Sequence, residues 1–290
     1  MNKDLKEKFG FTLAEGATHV GIFHNIGGTL QRLVESFTHV GIFHNTRRVG
    51  FTLAEVLITL GIIGIVSALT IPNLINKFEE KRTVTLLKET YSMLSQAMIY
   101  VVNEHGPVAT WRNATSASSI ENIREDSARM MELFKPYIKI LKTCDESQTD
   151  RDKCWGKDGE IYYSSGNLAT TIGHPQTQSF ILNNGSKVTL WMQYNDMIYN
   201  NCVNTAEAPC GNFYIKTDNK DKNVLGKNVF KFAVYSNIIL PEGNRKARYN
   251  SFANNCYQNG AACTAWVIEN GNMDYLHCDD LSWNGKRKCD

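Results

Sequence analysis

Hydrophobic positions change their pattern along the chain, and the changes mark out its main segments. Residues 51–71 read FTLAEVLITLGIIGIVSALTI, in which 14 of 21 side chains are apolar and Glu55 is the only charged residue. A helix of about 20 such residues crosses the roughly 30 Å hydrocarbon core of a bilayer. A buried helix of a soluble protein is the alternative, but this segment is apolar on almost every face. We therefore predict a transmembrane span at residues 51–71.

A second pattern follows the span. Six apolar residues recur at intervals of three and four positions, which is the spacing of one stripe along a helix: Val84, Leu87, Tyr91, Leu94, Met98 and Val101. We predict one long helix over residues 51–104, kinked at Pro72 because proline removes a backbone hydrogen bond. A helix of this length extends about 80 Å at 1.5 Å per residue. Its second half is therefore expected to pack its stripe against the rest of the chain.

Short strand patterns dominate residues 105–290, which we predict to be a globular head. Runs of β-branched and aromatic residues predict five strands, at 179–182, 187–193, 212–217, 229–236 and 264–269. Asn184-Gly185 lies between the first two and is a strong hairpin signal. Residues 129–142 indicate a short helix interrupted near Pro136. The predicted fold class is α+β, with a long N-terminal helix packed on a small antiparallel sheet.

All eight cysteines lie in the head, and they predict a disulfide framework: Cys144, Cys154, Cys202, Cys210, Cys256, Cys263, Cys278 and Cys289. The sequence contains no C-x-x-C and no Cys/His grouping with zinc-finger spacing, so disulfides in an oxidising compartment explain the count best. The intervals favour the local pairs Cys144–Cys154, Cys202–Cys210, Cys256–Cys263 and Cys278–Cys289, although Cys263–Cys278 competes. We expect the head on the periplasmic or extracellular side and the N-terminus in the cytoplasm.

Residues 1–50 repeat themselves imperfectly. The octapeptide THVGIFHN at 18–25 recurs at 38–45, and GFTLAE at 10–15 recurs at 50–55. Stacked repeats need about three units to bury a core, so we interpret this segment as a duplicated stretch rather than a solenoid or a metal-binding repeat. It is predicted to be an extended leader, and the alternative is coding sequence with a mis-assigned start.

Composition and motifs argue against several function classes. The chain is 42% hydrophobic with a formal net charge of +2, which excludes a disordered protein and gives no electrostatic reason to expect nucleic acid. H-E-x-x-H, G-x-S-x-G and phosphate-binding glycine loops do not occur, so we expect no enzyme, no catalytic residue and no cofactor. Asp218 and Asp221 lie in an oxygen-rich stretch without the EF-hand pattern, which leaves calcium there as a lesser alternative. Cys278 beside His277 is interpreted as a disulfide cysteine, not a nucleophile.

The residues around Gly50 resemble a known family signature. Arg47-Arg48 precede Gly50, and FTLAE at 51–55 then opens the apolar span. This arrangement looks like the processing motif of type IV pilins and type II secretion pseudopilins. The resemblance implies that prepilin peptidase cleaves after Gly50 and that the new N-terminal Phe51 is methylated. A secretory signal peptide is the rival, but its apolar core is usually 7–15 residues and its cleavage site follows that core.

The same resemblance implies residue roles and partners. A carboxylate in a bilayer costs about 2.5–3.5 kcal/mol on insertion scales, and Glu55 is expected to pair with the Phe51 amine of a neighbouring subunit. Pro72 is expected to let the helix adjust on assembly. The implied partners are other pilin or pseudopilin subunits, the peptidase and an inner-membrane assembly platform. The implied function is a single-pass inner-membrane subunit that joins a pilus or pseudopilus. The alternative is an unprocessed, membrane-anchored extracytoplasmic binding protein or enzyme.

Overall fold

The longest element of the fold is an N-terminal helix. The computed structural model describes residues 51–111, 120–144, 154–156, 159–172, 176–192, 209–245 and 252–289. Helix α1 spans Leu53–His105, 53 residues, and runs through Pro72 without interruption. The chain divides into two compact units, Met1–Gly64 and Ile65–Asp290. Of the first unit, residues 51–64 are described, and all of their side chains are exposed.

Shorter helices and nine strands make up the described part of the head. The helices are α2 (Val108–Trp111), α3 (Ile120–Phe134), α4 (Phe252–Asn259) and α5 (Thr264–Asn270), with 3₁₀ turns at Ala261–Cys263 and Asp274–Leu276. The strands are β1 (Ile140–Cys144), β2 (Glu160–Tyr162), β3 (Leu168–Thr171), β4 (Thr177–Leu182), β5 (Lys187–Met192), β6 (Gly211–Lys216), β7 (Asn223–Val224), β8 (Val229–Val234) and β9 (Ile239–Pro241). Four of these strands, β4, β5, β6 and β8, match predicted ones to within two residues at each end, and the α+β fold class is confirmed.

Six strands form one antiparallel sheet in the order β1-β4-β5-β6-β8-β9, and three form a second sheet in the order β3-β2-β7. The predicted hairpin joins β4 to β5. Its turn is closed by the Gly185 amide, which donates to the Leu182 carbonyl at 2.9 Å. Gly185 has φ of 86°, in the left-handed region where a glycine is favoured over residues with a Cβ.

The predicted stripe of α1 is buried in the main core. Leu87, Leu94, Met98 and Val101 are each at most 1% exposed, and Val84 is buried as well. The half-buried ring of Tyr91 stacks on Phe232 of β8 with 5.1 Å between ring centroids. These contacts confirm that the second half of the helix packs one face on the six-stranded sheet.

Hydroxyl contacts also connect α1 to the β4–β5 hairpin. The side-chain oxygens of buried Thr90 and Ser186 lie 2.8 Å apart, and Asn184 Nδ2 donates to Thr90 Oγ1 at 3.1 Å. The Tyr91 hydroxyl donates to the Ile239 carbonyl at 3.2 Å. The buried face of α1 therefore includes a polar residue, Thr90, which is fully buried and hydrogen-bonded. A pattern of apolar residues cannot predict such a position.

The strand predicted at 264–269 is wrong, because these residues form helix α5. Thr264, Ala265, Trp266 and Val267 are buried in succession, whereas a half-buried strand buries every second residue. Gly271 ends the helix at φ of 69°, and its amide donates to the Val267 carbonyl. This glycine cap is the sequence signal that favours a helix.

The helix predicted at 129–142, with an interruption near Pro136, is wrong after that interruption. Helix α3 begins earlier, at Ile120, and ends at Phe134, two residues before Pro136, which cannot donate a backbone hydrogen bond. Residues Ile140–Cys144 instead form β1, which pairs with β4. Pairing with a strand some 40 residues later overrides the local helical pattern.

Three of the predicted disulfides are confirmed. Cys144 is bonded to Cys154, Cys256 to Cys263, and Cys278 to Cys289. The competing pair Cys263–Cys278 is excluded by these bonds. Cys210 is disulfide-bonded as well, and its predicted partner, Cys202, lies outside the described residues.

We expect Leu94→Ala to destabilise the head by about 2–5 kcal/mol, because it leaves a cavity at a side chain that is 1% exposed. The full-length protein in detergent micelles would be unfolded with urea and followed by tryptophan fluorescence. The matched control is Ile99→Ala, in the same helix at a side chain that is 57% exposed, where a change within about 0.5 kcal/mol is expected. Equal losses in the two variants would contradict the packing of α1 on the sheet.

Candidate functional site

The first half of α1 presents an exposed apolar surface. It is the one described helix that is long and apolar enough to cross a membrane, judged by length and composition. Exposure continues beyond residue 71: Leu74 and Phe78 are each 70% exposed. Burial begins only at Val84. A helix with the character of a membrane span is therefore present, and its apolar surface extends several residues past the predicted end at 71.

Glu55 caps the start of its own helix. The Thr52 amide and hydroxyl both donate to Glu55 Oε2, at 2.8 and 2.9 Å, and the Glu55 amide donates back to Thr52 Oγ1 at 3.3 Å. This reciprocal arrangement is a capping box, which satisfies backbone donors at a helix N-terminus. The T-x-x-E spacing of Thr52 and Glu55 is the sequence signal for such a cap. Gly50, the predicted cleavage residue, lies outside the described residues.

The six-stranded sheet has two unlike faces. Alternate residues of β5 point to opposite faces: Val188, Leu190 and Met192 join the core that contains the stripe of α1. Trp191, between them, packs instead on a second cluster beneath the small sheet. The second face also contains buried polar side chains at the positions that alternate with the core residues: Ser179, Lys187, Thr189, Asn212 and Lys216. A buried sheet face of this polarity was not predicted.

Two lysines are buried side by side on this second face. Lys187 of β5 and Lys216 of β6 are paired directly across the strands, and they are 7% and 0% exposed. Lys216 Nζ donates to the carbonyl of Trp155 at 3.3 Å and also to the carbonyl of Lys220. Backbone carbonyls therefore supply acceptors that water would otherwise provide.

Burial changes the titration of both lysines. It lowers the pKa of Lys216 to about 8, and the neighbouring charge of Lys187 acts in the same direction. Burial also lowers the pKa of Lys187. The charges of Asp218 and Asp221 oppose both shifts, because a nearby carboxylate favours the ammonium form. The oxygen-rich stretch therefore compensates buried positive charge.

The calcium alternative gains no support from this geometry. The Asp218 carboxylate accepts hydrogen bonds from Asn228 Nδ2, at 3.0 and 3.2 Å, and from the Lys220 amide at 3.3 Å. The described residues contain no group of three or more acidic, His or Cys side chains that could hold a metal ion.

A charged groove of about 490 Å³ lies beside these residues, between α1 and the loops around residues 217–228 and 273–277. Lys220 Nζ lies 2.6 Å from Glu79 of α1, and His277 Nε2 lies 2.8 Å from Glu80. Glu79 and Glu80 lie on the helix turn before Val84, where the buried stripe of α1 begins. Their contacts with Lys220 and His277 therefore connect this turn of α1 to the head. Cys278 is bonded to Cys289, which confirms that it is no free thiol beside His277.

Comparison with known proteins places the chain in a family without assigning a function. A family model matches residues 73–272, which is more than half of the chain. The chain belongs to this family of unknown function, DUF6613. No curated protein and no solved structure matches it. The DUF6613 match begins at Asn73, directly after Pro72, and takes in the buried stripe of α1 and both sheets.

The lowered pKa of Lys216 predicts that the stability of this DUF6613 protein depends on pH above about 8. The pKa of an ordinary lysine is 10.5 and that of folded Lys216 is about 8, so the unfolded chain binds more protons between these values. Stability should therefore rise with pH from about 8 to 10.5. The measurement is the urea concentration at the unfolding midpoint between about pH 8 and 10.5. This midpoint should rise less with pH in Lys216→Met than in wild type. Lys227→Met, which changes an exposed lysine, should show the same rise as wild type. Parallel pH profiles of wild type and Lys216→Met would contradict the assignment.

Proposed function

We propose that this protein is a pilin-like structural subunit, cleaved after Gly50, methylated at Phe51 and assembled into a type IV pilus or a type II secretion pseudopilus. The observation that carries the proposal is the sequence at the start of α1. The motif RRVGFTLAE at 47–55 runs into a continuous helix of 53 residues, which begins at Leu53 within the motif. That helix first exposes apolar side chains all round and then buries a single stripe, as a membrane-held subunit with an outer head requires.

The geometry of Glu55 is compatible with a role between subunits. Both hydrogen bonds from Thr52 go to Oε2, and no described residue donates to Oε1. Cleavage after Gly50 would leave the Phe51 amine, with a reference pKa of about 8 and hence mostly cationic, one residue before the cap. One carboxylate oxygen can therefore hold the helix start while the other accepts from the amine of a neighbouring subunit.

The head supports the proposed topology. Three disulfides in the described residues are typical of a protein exported to an oxidising compartment. We propose that α1 crosses the inner membrane once, with residues 1–50 in the cytoplasm and the head in the periplasm or outside the cell. The partners would be other pilin or pseudopilin subunits, prepilin peptidase and the assembly platform. No chemistry is assigned to the head.

Processing gives the most direct test. We expect membrane-extracted protein to begin at N-methylated Phe51, as read by N-terminal sequencing and mass spectrometry after expression with a prepilin peptidase. Gly50→Val should block cleavage, because the resemblance places the cut directly after this glycine and the variant disrupts the motif at that position. Gly10→Val, in the earlier copy of the hexapeptide, is the matched control and should leave processing unchanged, because no apolar span follows that copy. An intact Met1 terminus would instead support the unprocessed, membrane-anchored alternative.

Assembly can be separated from helix capping at Glu55. Glu55→Gln keeps an oxygen that can accept from Thr52 but loses the charge, whereas Thr52→Ala keeps the charge and loses the capping hydroxyl. If the carboxylate pairs with a neighbour's amine, Glu55→Gln and Glu55→Ala should be cleaved normally and be absent from sheared filaments, while Thr52→Ala still assembles. Loss of assembly in Thr52→Ala with normal assembly of Glu55→Gln would show that only the cap matters. Immunoblots of membrane and filament fractions provide the measurement.

A further inference from the structure

A second pocket opens at the edge of the polar sheet face. It has a volume of about 380 Å³ and lies between β3 of the small sheet and strands β4–β6 of the main sheet. This volume is in the range of small-molecule sites. The described side chains that line it include hydroxyl-bearing and aromatic residues but no charged group: Thr170, Thr171, Thr177, Thr189, Trp191 and Tyr214.

Four of these residues are held in fixed register by the sheet. Thr177 of β4 is the direct cross-strand partner of Trp191 of β5, and Thr189 of β5 is the partner of Tyr214 of β6. Directly paired residues on one sheet face have Cβ atoms about 4.5–5.5 Å apart. The pairing of β4, β5 and β6 therefore fixes the positions of these side chains before a ligand binds. Binding would not have to pay the entropy of ordering them.

Trp191 contributes its indole ring to this floor. Its side chain is half-buried, so part of the ring is open to the pocket. Its indole Nε1 is enclosed, with no acceptor in the described part of the chain. A ligand in the pocket therefore contacts the ring rather than the N–H.

The chemistry of the lining selects a neutral, polyhydroxylated ligand. Threonine hydroxyls both donate and accept, which suits the hydroxyl groups of a sugar. The C–H face of a pyranose ring is apolar and packs on an aromatic ring such as that of Trp191. Burial raises the pKa of Tyr214, so this lining residue stays uncharged. No charged side chain among these lining residues could pair with an ionic ligand. The groove described above differs, because Lys220 and Glu79 line it.

We infer that the pocket formed by Thr170, Thr177, Thr189, Trp191 and Tyr214 is a binding site for a neutral carbohydrate. The sugar ring lies against the Trp191 indole, and its hydroxyl groups exchange hydrogen bonds with the half-buried Thr170 and Thr177. This inference concerns the head alone and holds whether or not the N-terminus is processed. For an extracytoplasmic head it supplies a means of contacting glycans.

The test uses the full-length protein in a zwitterionic detergent, because sugar-based detergents would compete for the site. The probes are maltose, cellobiose and N,N′-diacetylchitobiose, with inorganic phosphate as a charged comparison. Saturation-transfer NMR and tryptophan fluorescence titration should detect at least one disaccharide with a dissociation constant of about 1 mM or lower. Phosphate should show no binding at this site.

Variants locate the binding. Trp191→Ala should weaken the bound disaccharide at least about tenfold, and Trp191→Phe, which keeps an aromatic ring but loses the N–H, should weaken it less. Thr170→Val removes a hydroxyl at nearly constant volume and should also weaken binding. Thr143→Val, at an exposed threonine of β1 outside the pocket, is the matched control and should bind like wild type. Circular dichroism would verify that each variant is folded.

Three results would overturn the inference. One is the absence of a signal from all three disaccharides with a folded wild-type protein. Another is binding that is unchanged in both Trp191→Ala and Thr170→Val, which would place the sugar elsewhere. The last is phosphate binding that is lost in Thr170→Val, which would show an anion site. If Trp191→Ala does not fold, Thr170→Val and Trp191→Phe still decide the outcome.

Discussion

Burial of one stripe of α1 against one face of the six-stranded sheet is the interaction on which the fold depends. That face presents large apolar side chains from its central strands, among them Phe180, Leu190 and Phe213, all at most 1% exposed. Burying a side chain of this size contributes roughly 1.5–3 kcal/mol. The packed helix belongs to the same continuous element as the exposed apolar segment. Burial near Val84 therefore marks where the packed part of the helix begins, and the exposed apolar segment lies before the charged residues of 77–82.

The other face of the sheet obeys a different constraint. A sheet covered on both sides normally carries apolar residues on both, yet here the second face buries Lys187 and Lys216 as direct neighbours. Backbone carbonyls offset the desolvation of Lys216, and the charges of Asp218 and Asp221 act against the desolvation of both lysines. Folded proteins depart from local rules chiefly where function or strain requires it. The pocket at the edge of this same face has no charged side chain among its described lining residues, and the inferred sugar site lies there.

Sequence patterns predicted the elements whose signals are local. The stripe from Val84 to Val101, the Asn184-Gly185 turn and the disulfides between near neighbours depend on spacings of a few residues, and the structure confirms them. The two errors have different causes: Ile140–Cys144 becomes a strand because β4 pairs with it, whereas Thr264–Asn270 is a helix whose local signal is the cap at Gly271. Strands of two to four residues, such as β2 and β7, are too short for a periodic signal. Neither candidate pocket was predicted, because cross-strand register brings together residues that lie far apart in sequence.

The start of α1 combines two demands on one side chain. A helix N-terminus exposes unpaired amides, and an apolar environment makes both those amides and an isolated carboxylate costly. Glu55 accepts hydrogen bonds from the amide and hydroxyl of Thr52, which satisfies an exposed amide at the helix start. The same hydrogen bonds fix the position of the Glu55 carboxylate. In the proposed filament the second demand is met by the amine of another subunit. A carboxylate already held by its cap loses little conformational freedom when that amine arrives, so a capping box and an intersubunit ion pair reinforce each other.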